Sequence, residues 1–266
     1  MKKILSLVLA LAMILMVAAP AMADASLTDL QGRGKLVLGL DDSFPPMGFR
    51  DENNEIVGFD IDLAKVVCEK LGVELQLQPI DWSAKEMELQ SGNIDCIWNG
   101  MSRTPEREEG MALSLDYMNN QLVFLCNNPE NQTRADLAGK VLAVQTGSFA
   151  DGVINGEDMA ELKGTLGEVR GYPDYLTAIM DMQNGNVDAV LIDLVVANYR
   201  MAGLNDDALF TTDPMMDDLY CVGFRKEDVA LRDAVNAALI EMQAAGQVDE
   251  IAKVWFGENI SIIPAE

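Results

Sequence analysis

Short continuous apolar runs bounded by Gly, Asn and Asp recur along this chain, at 35–40, 94–98, 122–126, 140–144, 187–192 and 220–224. Runs of that length between turn signals read as strands buried on both faces. Between them lie stretches of helical period. Over 60–71, Leu63, Val67 and Leu71 fall one turn apart on one face, Asp60 is placed to cap, and Gly72 is placed to stop the helix. Residues 73–80 alternate as a strand. Helices are predicted over 83–90, 175–183, 229–245 and 248–255, with a lead-in helix or turn at 26–34. Residues 41–46 form a turn-rich loop, 50–55 a polar hairpin turn from which 56–58 return, and 127–133 a polar loop. Strands alternating with helices predict an α/β fold built on a parallel sheet.

The pattern repeats. Met87-Glu-Leu-Gln-Ser-Gly-Asn-Ile-Asp95 resembles Met180-Asp-Met-Gln-Asn-Gly-Asn-Val-Asp188, and Lys35 to Phe44 resembles Lys140 to Phe149. Two lobes on similar α/β plans would explain both echoes; convergent helix–turn–strand grammar is the alternative.

The stretch Asn99-Gly-Met-Ser-Arg-Thr-Pro-Glu-Arg107 follows the 94–98 run. It predicts a strand end, a turn exposing Gly100 and Ser102, and a helix capped by Thr104 with Pro105 at its first position. Arg107 then lies in the first helical turn, where the dipole disfavours a cation. A carboxylate held bidentately would compensate; so would a surface pairing with Glu108 or Glu109.

Composition narrows the function. The 266 residues are 49% hydrophobic and 23% charged, enough for two lobes with cores. Met1-Lys-Lys3, an apolar run to about Ala19 and Pro20-Ala-Met-Ala23 form the three regions of a secretory signal peptide, with cleavage expected after Ala23. No Cys stands at that site to carry a lipid anchor, which favours a periplasmic location. Removal of Lys2 and Lys3 takes the formal charge from −24 to −26, a poor match for nucleic acid or anionic membrane. There is no His, which excludes a Ser-His-Asp triad or a His-dependent zinc site. Cys68, Cys96, Cys126 and Cys221 lack metal-ligand spacing, and no metal or cofactor is expected. Export permits disulfides, four Cys allow three pairings, and buried free thiols are the simpler alternative.

In open α/β sheets ligands sit beyond the carboxyl ends of the strands. Four such ends carry polar or aromatic groups: Asp41 to Phe44, Asn99 to Ser102, Gln145 to Phe149, and Asp193. If the lobes face each other, Arg107 and Asp193 present opposite charges to one cleft. An α-amino acid is a zwitterion. Its carboxylate suits Arg107 with the amides of Gly100 and Ser102, its ammonium suits Asp193, and Phe44 and Trp82 could pack on its side chain.

Gly58-Phe-Asp-Ile-Asp-Leu-Ala-Lys-Val-Val-Cys-Glu-Lys-Leu71 resembles the signature of the family 3 solute-binding proteins, the extracytoplasmic polar-amino-acid receptors of ABC importers. The resemblance extends over the Phe44-Pro-Pro46 loop, Gly100 to Arg107, Gln145 to Ser148, Asp193 and Leu231 to Phe256. It implies a two-lobed, type II periplasmic-binding-protein fold with two hinge strands and a ligand cleft. Lobe one would comprise 24–116 and 221–266, lobe two 122–215, and the hinges 117–121 and 216–220. It implies that Arg107 holds the ligand carboxylate with Ser102 and the Gly100 amide. Asp193 would hold the ammonium, with Ser148 and Phe149 from the same lobe; Phe44 and Trp82 would flank the side chain, and Asp41 would lie at its far end. Gln145, Ile192 and Asn99 depart from residues common in relatives, so the side-chain pocket points to no single amino acid beyond a weak lean to a neutral or basic polar one. The implied partners are an L-amino acid and a membrane permease, and the implied state is a monomer. Two other functions fit the fold: an exported dehydratase of prephenate- or arogenate-like acids, using Asp41, Asp42, Asp193 or Glu86 as general acid, and a ligand sensor serving a separate receptor.

Overall fold

The computed structural model describes residues 24–204 and 208–265. The signal-peptide segment lies outside the described residues. Ser26–Arg33 forms α1, closed by Gly34, and Lys35–Leu40 forms β1. The predicted loop at 41–46 contributes a strand, β2 (Ser43–Phe44), which joins β3 (Gly48–Arg50) and β4 (Ile56–Val57) in a small antiparallel sheet. Helix α2 (Phe59–Leu71) ends at Gly72 as its period predicts. Its N-cap is Gly58, not Asp60. Asp60 turns into the core instead, where its carboxylate accepts from the Gly100 amide at 2.7 Å and the Tyr117 hydroxyl at 3.0 Å.

The chain continues through β5 (Glu74–Pro79), a 3₁₀ turn at Trp82–Ala84, α3 (Lys85–Gln90) and β6 (Cys96–Ser102). Strand β6 runs buried to Ser102, so Gly100 and Ser102 lie within the strand rather than on an exposed turn. Thr104 caps α4 (Pro105–Gly110) through a 3.2 Å bond from the Arg107 amide. Next come β7 (Met111–Leu113), β8 (Met118–Cys126), β9 (Val141–Gln145), α5 (Phe149–Asn155), α6 (Ala160–Thr165) and β10 (Glu168–Tyr172). The rest is α7 (Tyr175–Gln183), β11 (Ala189–Asp193), α8 (Leu194–Leu204), β12 (Phe210–Thr211), β13 (Met216–Arg225), α9 (Val229–Ala244) and α10 (Gln247–Phe256).

Eight strands run in the order β10-β9-β11-β8-β13-β6-β1-β5, with β12 and β7 added at the sides. The order is a palindrome about β8 and β13. Those two strands pair antiparallel, from Met216↔Leu122 to Tyr220↔Met118. Antiparallel neighbours are related by a two-fold normal to the sheet, so β5, β1, β6 and β13 map onto β10, β9, β11 and β8.

The hydrogen bonds repeat with the strands. Asp95 accepts from the Val37 amide at 2.9 Å, and Asp188 from the Val141 amide at 2.8 Å. Asn93 bonds Glu88 at 2.7 Å and Asn186 bonds Asp181 at 2.8 Å, after Gly92 and Gly185, both at φ 78°. The 87–95 and 180–188 echo is therefore one structural unit used twice. The second echo needs correcting by one residue. Leu38 pairs with Cys96 as Leu142 pairs with Ala189, which places Lys35 opposite Gly139 rather than Lys140. Backbone register decides this, because a one-residue slip would turn every strand side chain to the wrong face.

All four cysteines are buried and unpaired. Asp95 is 2% exposed and also receives Arg33 and Arg225, whereas Asp188 is 33% exposed. Removing a buried acceptor strands its donors. Chemical denaturation at pH 7 should therefore show Asp95→Ala losing about 2–3 kcal/mol and Asp188→Ala about 1 kcal/mol. Equal losses would contradict the burial difference.

Candidate functional site

The carboxyl ends of β6, β9 and β11 and the starts of α4 and α5 converge on one cavity. It is lined by Phe44, Trp82, Gly100, Ser102, Arg107, Gln145, Ser148, Phe149 and Asp193. Those are all the residues expected at the site except Asp41 and Asn99. The cavity measures about 10 Å³, room for about one water, so the two walls stand closed on one another. A wider groove of about 730 Å³ shares Phe149 and runs past Arg103, Asn119 and Asp217. The smaller cavity is the one that gathers the strand-end residues, with Arg107 and Asp193 in its lining.

Arg107 is buried, and its guanidinium donates to the Ser102 carbonyl at 2.6 Å. That is its one side-chain hydrogen bond among the described residues, and the pairings with Glu108 and Glu109 do not form. Burial works against its charge, and Glu86, Asp218 and Asp193 support it from a distance. Asp193, at the end of β11, accepts from Asn120 and from the Tyr220 hydroxyl, each at 2.7 Å. Burial nevertheless pushes its carboxyl up to about 6. Asn120 also donates to Asp218 at 3.1 Å, and Ser102 donates its hydroxyl to Asp218 at 2.8 Å. Burial and the neighbouring Asp193 raise Asp218 to about 7. A chain of short polar contacts thus runs from β6 through β13 and β8 to β11.

Two expected donors are already engaged. The Gly100 amide bonds Asp60, and the Ser102 hydroxyl bonds Asp218. Glycine at 100 has a steric reason: at φ 57°, a Cβ would stand 2.7 Å from the Phe44 ring and 3.1 Å from the Tyr220 ring. Ser148 caps α5 by accepting the Asp151 amide at 3.1 Å, which leaves its hydroxyl proton free.

Asp41 and Asn99 sit behind the cavity. Asn99 accepts the Asp41 amide at 3.1 Å, and Asp41 accepts Gln145 at 2.7 Å from the opposite wall. Under the two-fold, Asp41 and Gln145 are equivalent positions. They meet as residues beside the axis of a symmetric pair meet.

The sequence reading missed Lys85, Asn120, Tyr175 and Asp218. Tyr175 is the equivalent of Trp82 in the repeat; its ring packs 5.9 Å from Phe44, and its buried, unpartnered hydroxyl faces Asp193 and Ser148. The repeat itself was the signal for it. Asn120 and Asp218 are buried polar residues at the starts of their strands, where polar neighbours such as Asn119 and Asp217 hide them in the sequence. Among the described residues, no group of three or more acidic or thiol side chains is placed to hold a metal ion.

Comparison with known proteins agrees with this architecture. The L-cystine-binding protein TcyJ of Escherichia coli is 29% identical over 258 residues, covering 96% of this chain and 95% of that protein. An ABC uptake transporter substrate-binding protein from Streptococcus pneumoniae, solved with bound histidine, superposes with a TM-score of 0.85 at 37% identity, covering 90% of this chain and 99% of that one. An ancestral amino acid-binding protein, a precursor of cyclohexadienyl dehydratase, superposes with a TM-score of 0.79 at 30% identity over 87% of this chain and 99% of its own. The profile of the bacterial extracellular solute-binding proteins, family 3, matches residues 36–258. With the two-lobed fold and the converging cleft, that match places the chain in this family: it is a family 3 extracellular solute-binding protein.

Proposed function

We propose that the protein captures an L-amino acid between its lobes, in the periplasm, and delivers it to the membrane permease of an ABC importer. The observation that carries this reading is the pairing of Arg107 and Asp193 across one cavity, a cation without a carboxylate partner facing a buried carboxylate. Arg107 and the Ser148 hydroxyl receive the ligand carboxylate. Asp193, beside the Tyr175 hydroxyl, receives the ammonium, and Phe44 and Trp82 flank the side chain. Relatives named for binding cystine and histidine support the ligand class.

The proposed division is lobe one at 24–116 and 221–266, lobe two at 122–215, and hinges at 117–121 and 216–220. The ladder from Met216↔Leu122 to Tyr220↔Met118 supports it, because these are the segments where the two halves of the sheet join. Ligand enters an open form. By bridging Arg107 and Asp193 it favours closure, since only a ligand that binds one state better can shift the population. The protein acts by binding, as the named relatives do, and performs no chemical step.

A second reading, a dehydratase, draws on Asp193 and Asp218, whose raised pKa values keep a proton available for donation near neutral pH. Turnover of prephenate by the purified protein would establish it.

A thermal-shift panel of L-amino acids on residues 24–266, after unfolding and refolding to strip carried-over ligand, tests the main reading. At least one amino acid should raise the midpoint, and no shift with any of them overturns the proposal. Arg107→Ala should weaken that ligand by roughly 100-fold or more, about 3 kcal/mol, with the fold retained.

The pH dependence follows from Asp193. Ammonium binding needs its ionised form, and its carboxyl titrates at about 6. Affinity by calorimetry should therefore fall as pH is lowered from 7.5 to 5. Asp193→Asn should bind weakly with a flat profile; a wild-type affinity independent of pH would remove Asp193 from the ammonium site.

A further inference from the structure

The repeat exposes one residue that departs from its counterpart. Over 81–95 and 174–188 the two copies share a framework of caps, buried side chains and a Gly-Asn turn. Asp81 and Asp174 cap their helices, Trp82 and Tyr175 are buried at the cavity, and Leu89 and Met182 are buried behind. Position 178 is a fully buried Ala, whereas its equivalent is Lys85, 2% exposed. A buried ammonium is costly unless it is held.

Its shortest hydrogen bond reaches across the cleft. The Lys85 ammonium donates to the Gly147 carbonyl at 2.8 Å and to the Trp82 carbonyl at 3.2 Å, and pairs with Glu86 at 3.2 Å. It stands 5.2 Å from the Trp82 ring centroid. Gly147 belongs to the turn between β9 and α5 and immediately precedes Ser148, a wall of the cavity. That turn presses on lobe one: a Cβ on Gly147, at φ 74°, would stand 2.9 Å from Ser83 Cα.

We propose that Lys85 is a latch, a positioning residue that fastens the 145–149 turn to lobe one when the cleft closes and thereby sets how long a ligand is retained. The proposal rests on the amino-acid-binding reading for its ligand. It gives lobe one a role that its repeat partner, with Ala178, cannot perform.

The charged groups that act on Lys85 are Glu86 on its own helix, Asp81 just before it, Arg107 on α4 and Asp151 on α5. Burial, then the Arg107 charge, push its pKa down to about 8, against the pull of Glu86 and Asp151. The charged latch is therefore present at neutral pH and fades as pH rises through that value.

The test is stopped-flow dissociation of L-histidine, L-arginine or L-cystine from the mature protein, followed by tryptophan fluorescence. Lys85→Met should release ligand about tenfold faster with an association rate within about twofold of wild type; Lys85→Arg should restore slow release. The wild-type dissociation rate should rise between pH 7 and pH 9, and the Lys85→Met rate should not. Wild-type release from Lys85→Met overturns the latch, and so does faster release that keeps the wild-type pH profile.

Failure of all three amino acids to bind wild-type protein would count against the ligand reading instead. Small-angle scattering of the unliganded proteins then decides the latch. Lys85→Met, or Gly147→Ala should that variant not fold, is expected to be more expanded than wild type at pH 7. Equal dimensions overturn it.

Discussion

Two strands, β8 and β13, run antiparallel through the middle of the sheet, and the rest of the molecule is placed by them. One half of β13 pairs with β8, and its other half with β6 and β7. Strand β8 does the same, pairing onward with β11 and β12. Each strand is thus shared between two half-sheets, and the carboxyl ends of both half-sheets are directed at one cleft. Neither half could be moved without carrying its cleft residues with it.

The same two strands carry the polar chain that crosses the protein interior. Asn120 on β8 donates to Asp193 and Asp218, and Tyr220 on β13 donates to Asp193. Such a network is stable only when its members are satisfied together. Burial holds both carboxyls above the ordinary carboxylate range, and at Asp218 the neighbouring Asp193 charge adds to it. A cation brought to Asp193 would favour its ionised form.

Much of this was legible from the chain. Continuous apolar runs located the central strands because those strands are covered on both faces, and Thr104-Pro105 marked α4 because a cap and a first-turn proline are local chemistry. Arg107, Asp193, Phe44 and Trp82 stood out because strand ends and helix starts are where α/β folds bind. The misses were tertiary. Asp60 reads as a helix cap locally, yet the buried Gly100 amide and Tyr117 hydroxyl claim it. The one-residue shift in the Lys35/Lys140 echo is invisible without the sheet partner. Lys85 and Asp218 are singled out only by their burial.

The internal two-fold has a consequence for direction. A cleft between identical copies would take a head-to-tail molecule equally well either way round, as a symmetric dimer does at its axis. Here the copies have diverged where they face each other: Asp193 stands at the position of Gly100, Gln145 at that of Asp41, and Ala178 at that of Lys85. Each divergence removes one element of the symmetry. The pocket is thereby polar in the vectorial sense, with a cationic wall and an anionic wall, and the proposed zwitterionic ligand would have one orientation in place of two.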